Sequence, residues 1–292
     1  MTAWTLQKIL NSIADHLKKG GVDSPRLSAE LLLSYVLGMK RIELYARADT
    51  PISKQQIQHL DELTKRAGQH EPIAYLTGKT EFYSLALNVT RDCMIPRPET
   101  ELLVERAIEF LRTSSGTQWV CDLCTGSGCI AVAIAKNCPA ARIIATDISA
   151  DAIKVAAQNV KAYQLDEQVK LVSGDMFEAV KVISGGQQFD LIVCNPPYVS
   201  AAEYEALPKN VRDYEPKSAL FAGSDGLDIC RRIITEAGDF LKPEGALMLE
   251  IGYAQGPAVT ELLQQAGAFS EIKIQKDLRH NDRLAIARRA LA

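Results

Sequence analysis

From Gln118 onward, short apolar segments alternate with segments of helical periodicity, and this alternation restricts the fold more than any other feature of the chain. Strands and helices that alternate in this way form a mostly parallel sheet with helices on both faces. Two further apolar segments near the end fit an antiparallel edge on such a sheet. The strands are predicted at 119–123, 142–146, 168–173, 189–194, 245–251, 271–276 and 283–288, and helices lie between them, for example at 128–137 and 149–163.

The first 70 residues have a different hydrophobic pattern, in which apolar residues recur at helical spacing. Leu27, Leu31 and Tyr35 follow one another at steps of four and precede Gly38, a typical helix stop. A second helix is predicted over 53–68, where a serine can cap the start and a glycine can end it. The sequence therefore predicts an all-helical segment before the α/β part.

These patterns divide the chain into three parts. Residues 1–72 are expected to form a helical domain, and residues 97–292 are expected to form the α/β domain. Between them, residues 73–96 are expected to form a β-hairpin connector, because apolar residues partly alternate over 82–89.

Composition narrows the class of protein. The net charge of −3 is not typical of a nucleic-acid-binding protein, and no apolar run reaches the length that spans a membrane. The seven cysteines lie mostly in apolar contexts, and the four histidines are too scattered for a metal site. We expect a cytoplasmic protein with no metal, no membrane segment and no direct binding to nucleic acid.

A glycine turn, "DLCTGSG", follows the first strand of the α/β part. Gly126 and Gly128 allow the backbone to approach a ligand at the carboxyl end of that strand, where open α/β sheets bind ligands. A dinucleotide-binding turn needs a third glycine that is missing here, and Asp122 would repel a pyrophosphate. A cofactor with an ammonium group and no phosphate fits this turn better.

The next two strands also end in residues suited to a nucleoside. Asp147 follows Gly126 by 21 residues, the interval at which an acid typically binds ribose hydroxyls. Asp175 could accept a hydrogen bond from an exocyclic amine, and Met176 could pack on a flat base. Each of these features alone is also common in proteins that bind no ligand. A strand-terminal Asp such as Asp147 often caps the next helix, although Ser149 could cap that helix here. Together they predict S-adenosylmethionine.

The fourth strand stops at Asn195-Pro196-Pro197-Tyr198. Asn-Pro alone would be read as a turn. Two prolines, however, make the segment stiff, and the Asn195 side chain and the Pro196 carbonyl offer two acceptors beside the Tyr198 ring. Two acceptors and an aromatic face predict a clamp that orients a planar –NH2 group for methyl transfer.

With these motifs, the chain resembles the class I methyltransferases and, among them, the release-factor glutamine methyltransferases (the PrmC/HemK family). The resemblance covers nearly the whole chain. The residues that carry it, beside the glycine turn and Asn-Pro-Pro-Tyr, are "PIAYLTGKTEFYSLALNVTRDCMIPRPETELLVE", "YEPKSALFAGSDGLDICRRI", "LEIGYAQG" and "KDLRHNDRLAIA". It implies a Rossmann-like methyltransferase domain after a helical domain that helps to hold the substrate.

The resemblance also implies a reaction and a set of site residues. Methyl would pass from S-adenosylmethionine to the side-chain nitrogen of the glutamine in the Gly-Gly-Gln loop of peptide-chain release factors. Asn195 would be catalytic and would touch both cofactor and substrate. By position, the cofactor would be held by Cys124, Thr125, Gly126, Ser127, Gly128, Asp147 and Met176, and the substrate by Asn195, Pro196, Pro197 and Tyr198. The family usually has glycine at the position of Cys124, and Arg97 and Glu99 have no assigned role.

Two other functions compete with this hypothesis. A nucleic-acid amino-methyltransferase would also hold a planar –NH2, but residues 199–217 mix acids and bases and offer no stripe that tracks phosphates. A non-catalytic module that senses S-adenosylmethionine would have no use for the stiff clamp.

Overall fold

The computed structural model describes residues 4–113 and 115–291. Within them the chain forms two compact units. One contains the residues up to Lys79 together with Pro208–Tyr214, and the other contains Thr80–Leu207 and the residues from Glu215 onward. The domain boundaries given above at 72 and 96 stay a prediction.

The first unit is helical, as its periodicity predicted. Its helices are α1 (Leu6–Lys19), α2 (Pro25–Leu37), α3 (Arg41–Ala46), α4 (Lys54–Gly68), α5 (Ile73–Thr77) and, from later in the chain, α11 (Lys209–Arg212). A Ser53–Gln56 capping box begins α4, and Gly38 ends α2 in the left-handed conformation at φ 64°. Their buried leucines form one apolar core.

The apolar stripe that predicted α2 does not face this core. Leu27, Leu31 and Tyr35 are exposed, whereas Leu32 and Leu33 of the same helix are fully buried. The helix carries apolar residues on both its buried and its exposed face, so steps of four show the helical period without showing which face is buried. The periodicity therefore identified the helix but marked its outer face.

Residues 73–96 begin with the helix α5 rather than with a strand. A two-stranded sheet of β1 (Lys79–Phe82) and β2 (Leu85–Asn88) follows. Asn159 fastens β2 to the second unit's interior: its Oδ1 accepts from the Asn88 backbone N–H at 2.7 Å, and its Nδ2 donates to the Ser127 carbonyl at 2.8 Å. This fully buried amide thus connects the hairpin to the glycine turn.

The second unit is built on a seven-stranded sheet with the order β5-β4-β3-β6-β7-β9-β8. Five strands run parallel and β9 is antiparallel to both of its neighbours, as the sequence predicted. The strands are β3 (Gln118–Leu123), β4 (Ala141–Asp147), β5 (Val169–Ser173), β6 (Phe189–Cys194), β7 (Leu241–Glu250), β8 (Phe269–Lys276) and β9 (Asp282–Arg289).

Helices cover both faces of this sheet and bury two apolar clusters against it. They are α6 (Glu101–Arg112), α7 (Cys129–Asn137), α8 (Ala150–Ala162), α9 (Met176–Ser184), α10 (Ala201–Ala206), α12 (Asp228–Phe240) and α13 (Gly256–Gln265). The order changes direction at β3, since β4 lies on one side of it and β6 on the other, and ligands bind open α/β sheets at such a point.

Candidate active site

A cavity lies at the carboxyl ends of β3, β4, β5 and β6, with about 1010 Å³ of empty space including its open mouth. This is the size expected of a small-molecule site. Most of the predicted site residues line it, namely Cys124, Thr125, Gly126, Ser127, Asp147, Met176, Asn195 and Pro197. Gly128, Pro196 and Tyr198 lie beside these residues in the chain but are not part of the wall.

The two glycines of the turn serve different purposes. Both have positive φ, 55° at Gly126 and 78° at Gly128. A Cβ at Gly128 would lie 3.1 Å from the Cβ of Ala156 on α8, whereas a Cβ at Gly126 would meet no atom within 4 Å. Gly128 therefore permits close helix packing, and Gly126 leaves space in the cavity. Cys124 also has positive φ, 56°, a conformation that favours glycine.

Asp122 lies beneath this turn and not in the cavity wall, where the sequence led us to expect it. Its side chain is fully buried, and its Oδ2 accepts a hydrogen bond from the Thr125 hydroxyl at 2.6 Å. Burial raises the pKa of this carboxyl to about 7, although the Thr125 hydrogen bond opposes the change. The residue supports the turn from below.

Asp147 binds the turn from the neighbouring strand. Its Oδ2 accepts from the Gly126 backbone N–H at 2.8 Å, and its Oδ1 accepts from the Ser149 backbone N–H at 2.9 Å. Burial raises its pKa, and these two hydrogen bonds oppose that change. Ser149 caps α8 through Ala152, so Asp147 is not needed as the helix cap. Each carboxylate oxygen keeps acceptor capacity for a ligand hydroxyl.

The far end of the cavity is apolar with one ion pair at its rim. Met176 is buried there, while Ile148 is 69% exposed although it lines the cavity. Asp175 already has a protein partner, since its Oδ2 accepts a hydrogen bond from Arg232 Nη2 at 2.9 Å. A flat, apolar ligand group would cover Ile148 and Met176.

Within Asn-Pro-Pro-Tyr, both polar side chains have protein partners. Asn195 Nδ2 donates to the Thr100 hydroxyl oxygen at 3.1 Å, and the Tyr198 hydroxyl donates to Glu250 Oε1 at 3.2 Å. Burial, followed by the charge of Glu250, raises the pKa of Tyr198 well above its ordinary range, so the phenol stays neutral. Thr100 and Glu250 were not singled out from the sequence.

The backbone around Tyr198 is held by segments that the sequence marked only as family motifs. Val199 pairs with Phe221, and Gln255 Nε2 donates to the Tyr198 carbonyl at 3.0 Å. A Cβ at Gly226 would lie 2.3 Å from that carbonyl, so only glycine fits there. The stretches "FAGSDG" and "GYAQG" therefore fix the position of the tetrapeptide.

An ion pair between a buried glutamate and a partly exposed arginine joins two walls of the cavity. Arg97 binds Glu215, whose other oxygen accepts from the Ile95 backbone N–H at 3.2 Å. The pair connects the segment before α6 to the segment around Pro216, and residues from both segments line the cavity. The ion pair with Glu215 gives Arg97 a structural role, which the sequence alone did not assign. Both residues lie in motifs noted in the sequence, "PRPET" and "YEPKSAL", but a single sequence does not show that two such distant residues pair.

Comparison with known proteins agrees with this architecture. A model of the PrmC N-terminal domain matches residues 8–78, and a model of the methyltransferase small domain matches residues 99–211. The release factor glutamine methyltransferase of Rhodopirellula baltica is 38% identical over 99% of this chain and 98% of its own length. That of Geobacter sulfurreducens is 40% identical over 90% of each chain.

The chain belongs to the release factor glutamine methyltransferase family. The predicted Rossmann-like α/β fold with an antiparallel edge after a helical region is confirmed. The solved structure of a human methyltransferase 10 domain containing protein matches with a TM-score of 0.53 and 15% identity over 72% of this chain and 90% of that one, which shows the fold alone. Among the described residues, no helix is long and apolar enough to cross a membrane.

Proposed function

We propose that this chain transfers a methyl group from S-adenosylmethionine to the side-chain nitrogen of the Gln in the Gly-Gly-Gln loop of peptide-chain release factors. The observation that carries the proposal is the position of Asn195. It lines the same cavity as the glycine turn and Asp147, so one amide can meet both a cofactor and a substrate.

The cavity suits S-adenosylmethionine in each part. The open side of Gly126 accommodates the amino-acid end of the cofactor, and the remaining acceptor capacity of Asp147 suits the ribose hydroxyls. Ile148 and Met176 supply apolar surface for the adenine. When bound, S-adenosylmethionine supplies an electrophilic methyl group.

The substrate clamp is formed by acceptors. Because Asn195 Nδ2 is engaged by Thr100, Asn195 Oδ1 is the end left to accept from a substrate –NH2. We assign the second acceptor to the carbonyl of Pro196. Tyr198 follows in the same tetrapeptide, with its hydroxyl on Glu250, and supports the clamp from outside the cavity wall. Holding both N–H groups orients the amide lone pair, and orientation of this kind supplies several kcal/mol of barrier reduction.

The clamp needs no general base. An amide nitrogen that gains a methyl group becomes acidic and can release its proton to water. This agrees with a tetrapeptide that contains no histidine and no carboxylate.

A second contact with the protein substrate is proposed on the helical unit. Leu27, Leu31 and Tyr35 present an exposed apolar row on α2, and Tyr35 meets the ring of His59 from α4 with a centroid distance of 6.2 Å. Exposed apolar patches often serve protein partners, which supports this row as the second contact. Two contacts on one partner raise the effective concentration of its loop at the cavity.

We also propose that the enzyme works in the cytoplasm. All seven cysteines lie in the described part of the chain and form no disulfide bond there. This supports a reducing compartment.

Methyl transfer from labelled S-adenosylmethionine to release factor and to DNA, assayed side by side, tests the proposed function. We expect label on release factor and none on DNA. Asn195→Ala should still bind S-adenosylmethionine but lose roughly 10²–10³ in rate, the usual cost of removing one placed polar partner. Label on DNA adenine alone would indicate the competing amino-methyltransferase, and cofactor binding without transfer would indicate a sensor.

A further inference from the structure

Glu250 is a carboxyl buried where the sheet meets the tetrapeptide. Leu249 pairs with Cys194 in the register of β6 and β7, so Glu250 lies next to the position at which β6 becomes Asn195. Its exposed fraction is 1%, and burial raises its pKa. A buried carboxyl is costly unless it is hydrogen-bonded, so its partners indicate what it is for.

Two residues of the active site lie near Glu250, namely Tyr198 of the tetrapeptide and Thr100 of the cavity wall. The Tyr198 hydroxyl donates to Oε1 at 3.2 Å. The other oxygen, Oε2, is buried without a hydrogen-bond partner among the described residues, and the Thr100 hydroxyl lies near enough to this carboxyl to oppose the rise in its pKa. The positive charge of Arg283, next to Glu250 across the β7–β9 pairing, has the same effect. One carboxyl therefore gathers groups from three separate segments.

The direction of the Thr100 hydroxyl proton also decides how the Asn195 amide is oriented. A hydroxyl has a single proton, and when that proton points to Glu250 the Thr100 oxygen can only accept from other groups. The group that it accepts from is Asn195 Nδ2, at 3.1 Å. This arrangement excludes the flipped amide, in which Asn195 Oδ1 would face the Thr100 oxygen with no proton between them.

We propose that Glu250 and Thr100 are positioning residues that fix the orientation of the Asn195 amide and the place of the Tyr198 ring. The inference rests on the proposed function, since it explains how the clamp presents Oδ1 and not Nδ2 to the substrate. A clamp with a flipped amide would offer a donor to the substrate –NH2 and would repel it.

Thr100→Val and Thr100→Ser form the central test. Valine keeps the shape of threonine and removes the hydroxyl, whereas serine keeps the hydroxyl. We expect Thr100→Val to lower kcat by about 10²-fold, the cost of a small loss of orientation. The Kd for S-adenosylmethionine should stay within about threefold, and Thr100→Ser should restore most of kcat. Thr260→Val is a matched control, because among the described residues that hydroxyl donates to the Gly256 carbonyl of its own helix at 2.8 Å.

Coupling between variants tests the role of Glu250. Glu250→Gln and Tyr198→Phe should each lower kcat, but Glu250→Gln should add little in a Thr100→Val/Tyr198→Phe background, because its effect passes through those two hydroxyls. If Glu250→Gln does not fold, the comparison of Thr100→Val with Thr100→Ser still tests the inference. A wild-type rate for Thr100→Val would overturn the inference, as would equal loss in Thr100→Val and Thr100→Ser. A wild-type enzyme that labels no release factor would instead overturn the proposed function.

Discussion

Replacing Asp122 by Asn should remove a large part of the pH dependence of stability. The pKa of this buried carboxyl rises from 3.8 to about 7 on folding, because burial disfavours the charge. The folded protein then binds a proton that the unfolded chain has released, so the contribution of Asp122 to stability is present at low pH. That contribution is lost as pH rises through the folded pKa.

The size of the effect follows from the two pKa values. At about 1.4 kcal/mol per pH unit, the free energy of unfolding should fall by roughly 2–3 kcal/mol between pH 5 and pH 8 through Asp122 alone. Asn keeps an acceptor for the Thr125 hydroxyl but carries no charge, so the variant should lack this component.

Urea unfolding of both proteins at pH 5, 6, 7 and 8 measures the difference. The stability of Asp122→Asn relative to wild type should rise with pH across this range. Asp166→Asn, an exposed site with the same change of charge, should show no such trend. Parallel pH profiles for wild type and Asp122→Asn would refute the reasoning and would mean that the carboxyl is solvated or paired in the folded state.

Three further predictions concern packing, the cavity walls and the partner surface. Gly128→Ala should destabilise the protein by about 1–3 kcal/mol in thermal or urea unfolding, because φ is 78° and the new Cβ would lie 3.1 Å from Ala156; an unchanged unfolding midpoint would contradict this. Arg97→Met should cost about 3–5 kcal/mol by the same measurement, since it leaves the buried Glu215 without its charged partner, and a neutral result would mean that the pair is dispensable. Leu31→Glu should raise KM for release factor by at least tenfold while the calorimetric Kd for S-adenosylmethionine stays unchanged, and an unchanged KM would remove α2 from the docking surface.

The sheet could be predicted because each of its strands is a short apolar run bounded by polar residues. Strand β6 was placed at its observed limits, 189–194, and the antiparallel pair β8–β9 was also anticipated. The start of β7 was missed by four residues because its first residues, Leu241 to Glu244, include a proline and exposed polar side chains, which do not look like a strand. The helix α5 was missed because five residues are too few for a helical period to appear.

The site could be predicted only in part. Residues that follow directly on a strand, such as Asp147 and Asn195, were found because the carboxyl ends of parallel strands meet at one edge. Thr100 and Glu250 were not found, because each lies far along the chain from Asn195, and a buried polar pair leaves no local pattern. Asp122 was expected in the cavity, but the side chain of a strand residue points to one face only, and here that face lies beneath the turn.

The central claim is that the cavity at Asn195 accepts the glutamine of a Gly-Gly-Gln loop. Mass spectrometry of peptides from release factor, after incubation with the enzyme and S-adenosylmethionine, tests it most directly. We expect one added methyl group, located on the side chain of that glutamine and strongly reduced when Asn195→Ala replaces the wild-type enzyme. A methyl group on any other residue, or an unmodified glutamine beside methylated DNA adenine, would contradict it.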